Sequence, residues 1–81
     1  MAVTYYVALP FIRTEDGGAP GEGQECQSEG ATIRRAEAMS RDPVNVGAVA
    51  FKRSGDPNIG EFSDAVVLKK FGDVPNDLSE L

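Results

Sequence analysis

Histidine is absent from this 81-residue chain, and cysteine occurs once, as Cys26. Without histidine the sequence lacks the commonest general base and the commonest metal ligand. A lone cysteine closes no intramolecular disulfide and builds no thiolate cluster for zinc. The chain is therefore expected in a reducing compartment, the cytoplasm, with no metal and no cofactor. Positive charge is also scarce: eight Lys and Arg stand against thirteen Asp and Glu, a net charge of −5. That balance argues against a general nucleic-acid binder and against a binder of anionic membranes. Long hydrophobic runs are missing too. The apolar N-terminal stretch has no basic residue ahead of it and is interrupted at Pro10 and Arg13, so it reads neither as a signal segment nor as a bilayer span. No lipidation pattern and no Asn-x-Ser/Thr acceptor occurs.

What is present fits one small domain, residues 1–81, which at this length buries only about 60 to 65% of the surface its unfolded chain exposes. A second copy or a partner is a reasonable way to complete such a core. Charge divides the chain. Glu15, Asp16, Glu22, Glu25 and Glu29 make the first part acidic, Arg34, Arg35, Arg41, Lys52, Arg53, Lys69 and Lys70 make the middle mildly basic, and Asp73, Asp77 and Glu80 make the tail, 72–81, acidic again.

Periodicity predicts a strand over 3–13, because Val3, Tyr5, Val7, Leu9 and Phe11 alternate on one face among β-branched and aromatic neighbours. Pro10 cannot donate to a ladder, so its part of the strand belongs at an edge or a bulge. Residues 14–27 are rich in Gly and Glu with no periodic apolar residue, which reads as a flexible, solvated loop. Ser28 is placed to cap a helix from Glu29 to about Arg41, with Ile33, Ala36, Met39 and Ser40 on one stripe and Asp42-Pro43 as the stop. Two further strands are expected over 44–53 and 61–71, joined by a hairpin loop over 54–60, with a short helical turn after Pro75.

The resulting expectation is an α+β domain of order βαββ, a three-stranded sheet with one helix packed on one face. Strand order 1-3-2, with the first two strands parallel, and a plain 1-2-3 meander both fit. With the helix over the Val3, Tyr5, Val7, Leu9, Phe11, Val49 and Phe51 face, the other face would expose Tyr6, Ala8, Ile12, Val46, Ala48 and Ala50. An uncovered apolar patch of that kind usually marks an interface. A second copy, meeting this face or an edge strand, would make a homodimer; alternatively the tail, with Val74, Leu78 and Leu81, folds back over it.

Motifs with chemistry are few. Gly55 and Gly60 have the spacing of a phosphate loop, but Glu61 and Phe62 stand where Lys and Ser/Thr are required, so this is a hairpin turn. Gly18-Ala19-Pro20-Gly21 matches a GXXG nucleic-acid loop by letters, with acidic flanks of the wrong sign. Lys52, Arg53, Lys69 and Lys70 form a candidate nucleic-acid patch beside Phe51 and Phe71, set against the commoner use of lysines to guard strand edges. Cys26 precedes a helix N-terminus, but Glu25 and Glu29 oppose a thiolate and no histidine can act as base. Carboxylates such as Glu61 with Asp64, or Asp73 with Asp77, need a cleft that a domain this small has little room for. The chain is accordingly read as non-enzymatic.

The segments Thr4-Tyr5-Tyr6-Val7-Ala8-Leu9-Pro10-Phe11, Gly47-Ala48-Val49-Ala50-Phe51 and Asp64-Ala65-Val66-Val67-Leu68, with the Ala-rich helix, resemble small uncharacterised bacterial proteins. The strand, helix, strand, strand order opening on Tyr-Tyr-Val is similar to the first part of the SPOR domain. That resemblance implies a ferredoxin-like sheet and a glycan ligand, by fold alone. The family's second helix and fourth strand have no counterpart in this sequence, nor do a membrane anchor or an export signal.

Overall fold

A computed structural model describes residues 3–15, 17–56 and 58–74. The alternating N-terminal run forms β1 (Val3–Thr14). The chain then returns along its own first strand: β2 (Gly17–Pro20) pairs antiparallel with the far end of β1, and β3 (Gln24–Cys26) with its middle. Next, α1 (Glu29–Ser40) starts close to where Cys26 pairs with Tyr6. Its 12 residues rise about 18 Å. They carry the chain back to the far end of β1, where the Arg13 N–H donates to the Val44 carbonyl at 2.8 Å. From there β4 (Asn45–Asp56) can only leave antiparallel to β1, and it pairs with it from Phe11–Gly47 to Val3–Gly55.

The third expected strand is two pieces, β5 (Glu61–Phe62) and β6 (Val66–Gly72), both antiparallel to β4 on the side away from β1. The three-stranded βαββ sheet with a parallel first pair is thereby corrected to six antiparallel strands in a curled half-barrel sheet carrying one helix. The long strands follow in chain order, β1, β4, β6, with none inserted between the first two. The reason lies in residues 14–27. Read as a loop, they leave the helix to reverse the chain and make the crossover parallel; as strands, they have already reversed it.

Their glycines serve close approach. A Cβ on Gly18 would stand 2.7 Å from Val46 Cγ2 and 3.7 Å from the Phe11 Cβ, so β2 curls over Phe11 as no larger residue would allow. Pro10 sits beside the end of β2, where its carbonyl accepts from the Gly21 N–H at 2.8 Å, one residue before the irregularity at Phe11/Ile12. Its missing N–H therefore falls on the side away from β4 and costs no bond to that strand.

The helix begins as its sequence predicts. The Ser28 hydroxyl accepts from the Ala31 N–H at 3.2 Å, and Glu29 occupies the first turn. Thr32 is fully buried and donates its hydroxyl to the Ser28 carbonyl at 2.6 Å. At the other end the Asn45 side chain donates to the Met39 carbonyl at 2.8 Å, tying α1 to the first residue of β4. The predicted stripe Ile33, Ala36, Met39 does face the sheet, but the sheet face beneath it is the opposite of the expected one. Ala36 lies on Ala8, Ala48 and Ala50, with Leu68 and Phe71 alongside. Phe11, Val49 and Phe51 bury one another on the other face with Val7, Leu9, Val46, Ala65 and Val74. Small residues let the helix backbone approach the sheet, while the bulky set fills the curl that has no helix. The proposed helical turn after Pro75 and the folding back of Leu78 and Leu81 lie outside the described residues.

Candidate functional site

The six residues expected to form a bare apolar face do not form one. Ala8, Ala48 and Ala50 are fully buried beneath Ala36. Tyr6 is half-buried opposite Lys52. Val46 is the extra residue of a bulge, since Phe11 pairs with Gly47 and Ile12 with Asn45. That bulge turns Val46 to the Phe11 cluster instead of the alanine side. Ile12 alone of the set is exposed, at 41%.

The four basic residues are separated by the pleat. Lys52 pairs with Tyr6 and Lys69 with Ala50, on the helix side. Arg53 pairs with Tyr5 and Lys70 with Val49, on the other. Neighbours in a strand point to opposite faces, so the adjacency of each basic pair in sequence becomes a division in space. Lys69 holds its ammonium 5.3 Å from the centre of its own Phe71 ring, which occupies the aromatic that a stacked base would need. Cys26 is half-buried against the alanine cluster, its thiol directed to the Gln24 carbonyl at 3.8 Å.

A different surface stands out along β5 and β6. The sequence reading passed over it because Val66 and Val67 are consecutive and reveal no face. Most of the exposed large apolar side chains are gathered near this margin: Val3, Ile59, Phe62, Val66 and Val67, with Val66 at 52% and Phe62 at 48% exposure. Val3, Gly55 and Phe62 align across three strands, and the Tyr5 and Phe62 rings meet at 6.0 Å. Among the described residues no strand pairs with the outer side of β6.

Which backbone groups that edge presents follows from one bond. The Asp73 N–H donates to the Val46 carbonyl at 2.9 Å. In an antiparallel ladder bonded and non-bonded pairs alternate. The pairs Ala48–Phe71 and Ala50–Lys69 are therefore the bonded ones, and Gly47–Gly72 and Val49–Lys70 the non-bonded ones. The N–H and C=O of Lys70 and Gly72 thus point away from β4, into the open.

The largest hollow found among the described residues, about 640 Å³, is an open one between Arg13, Glu15, Gly18, Val46 and Asp73 at the opposite end of the sheet from Phe62. No described helix is long and apolar enough to cross a membrane. Models of known protein families, curated proteins and solved structures give no match to this chain.

Proposed function

We propose that this chain is a non-enzymatic assembly module of the cytoplasm that makes a homodimer through the exposed margin of its sheet along β5 and β6. The observation that carries this reading is the open outer edge of β6 with exposed Val66, Val67 and Phe62 around it. Open edges pair readily with other strands, and contiguous exposed apolar side chains on a small domain mark contact surfaces. The small core speaks in the same direction, because few side chains are fully buried and the largest of them are Val49 and Thr32. A single half-buried cysteine is in keeping with a reducing compartment. Nucleic-acid binding, the other reading of the sequence, loses its main support once Lys52 and Lys69 stand on one face and Arg53 and Lys70 on the other.

Sedimentation velocity on the purified full chain, over a hundredfold range of concentration, tests the proposal. The expected result is a shift from the monomer mass toward twice that mass as concentration rises. A monomer mass throughout, at concentrations up to the millimolar range, would overturn it.

A further inference from the structure

From the direction of the free backbone groups and the charges along β6, we infer that the homodimer is a two-fold antiparallel pairing of β6 with β6 of a second copy, centred on Phe71. The inference rests on the self-association proposed above and specifies its register. Only Lys70 and Gly72 direct both N–H and C=O outward along the regular part of the strand, which limits the bonded pairs that two copies can form. Pairing Lys70 with Lys70 of the second copy sets like charges directly opposite each other. A register centred on Lys69 does the same with Lys69 and also runs into the irregularity between Ala50 and Phe51. Like charges directly opposite are destabilising in a sheet.

The register left is Lys70 opposite Gly72 of the second copy. Each Lys70 N–H then donates to a Gly72 carbonyl and each Gly72 N–H to a Lys70 carbonyl. In this register Lys69 lies opposite Asp73 of the second copy, twice over by symmetry, and Phe71 faces Phe71 across the axis. Both are non-bonded pairs with respect to the new ladder, the kind in which side chains come closest. Lys69 and Asp73 are exposed in the single chain, and the Lys69 ammonium already lies over the Phe71 ring, on the face where the opposing carboxylate would arrive. A two-fold contact is self-complementary by construction, and opposite charges four residues apart, centred on an aromatic, meet that demand.

The test exchanges those charges. Lys69→Glu alone sets two carboxylates against each other at both contacts, and Asp73→Lys alone sets two ammonium groups there. Each variant is expected to dimerise about tenfold more weakly than the wild type. Mixed in equal amounts, the two variants restore opposite charges at both contacts of a heterodimer, because one copy then carries only acids at these two positions and the other only bases. The mixture is therefore expected to recover the wild-type association. The double variant Lys69→Glu/Asp73→Lys is expected to do the same alone. Circular dichroism of each variant confirms that the exposed substitutions leave the fold intact. If the wild type dimerises but neither the mixture nor the double variant recovers what the single variants lose, or the single variants lose nothing, this register is wrong while self-association stands. If the wild type never leaves the monomer mass, both fall.

Discussion

A methyl group added at Gly47 would stand 2.5 Å from the Phe71 carbonyl oxygen and 2.6 Å from that of Asp73. Both obstacles are backbone atoms of the strand next door, so nothing flexible can give way, and β4 and β6 would have to separate. Gly47→Ala is expected to destabilise the domain by roughly 2 to 3 kcal/mol, the upper part of the range for overpacking a tight site. The same substitution at Gly30 meets only the tip of Arg34, at 3.6 Å. There the loss of unfolded-state freedom and the gain in helix propensity win, and Gly30→Ala is expected to stabilise by about 0.5 kcal/mol. Urea unfolding of the two variants beside the wild type checks both; equal midpoints would remove the steric account. In sequence the two glycines look alike, because their difference is made by residues that arrive from elsewhere in the chain. Gly18 tells the same story, as part of a stretch whose composition reads as a loop while its missing side chain is what admits β2 beside Val46.

Elements were legible where their signals are local. Ser28, Glu29 and the Asp42-Pro43 stop lie within a turn of the helix ends they define, and α1 begins where they indicate. The cap and the buried threonine beside it separate two kinds of hydrogen bond. Ser28→Ala leaves the Ala31 N–H without its side-chain acceptor and is expected to cost about 1 kcal/mol. Thr32→Val also deletes a hydrogen bond, but the Ser28 carbonyl still accepts from the Thr32 N–H at 3.0 Å, and the buried hydroxyl is replaced by a methyl of similar size. No buried group is orphaned, so the loss is expected to stay below about 1 kcal/mol. Thermal or urea denaturation ranks the pair, and a Thr32→Val cost above that of Ser28→Ala would reverse this account.

How the elements meet was much less legible. Alternation in β1 correctly divides odd from even positions, yet it cannot say which set meets the helix. The larger side chains were expected there, and the alanines were chosen because they let helix and sheet come close. The parallel expectation failed on β2 and β3, whose pairing leaves no periodic apolar trace. Val46 failed through a bulge, which shifts one residue to the other face without any mark in the sequence. The open edge of β6 was invisible for a related reason: a strand's edge is defined by the neighbour it lacks.

At the scale of the whole molecule, one sheet separates two modest apolar clusters, alanines under the helix and a Phe, Val, Phe group in the curl. Neither is thick, and a domain of this length has little surface to bury beyond them. Stability should consequently be linked to association. If the folded species is the dimer and the unfolded one a single chain, each tenfold rise in protein concentration adds about 1.4 kcal/mol per dimer to the unfolding free energy. With the denaturant sensitivity usual for small domains, the urea midpoint is expected to rise by roughly half a molar per tenfold. The Lys69→Glu variant should lack this dependence at the lower concentrations and hold the midpoint that the wild type approaches on dilution, since its monomer keeps every intramolecular contact described for the fold. A wild-type midpoint that does not move over a hundredfold range would mean that the two clusters suffice for the single chain, and that the open edge of β6 contributes nothing to its stability.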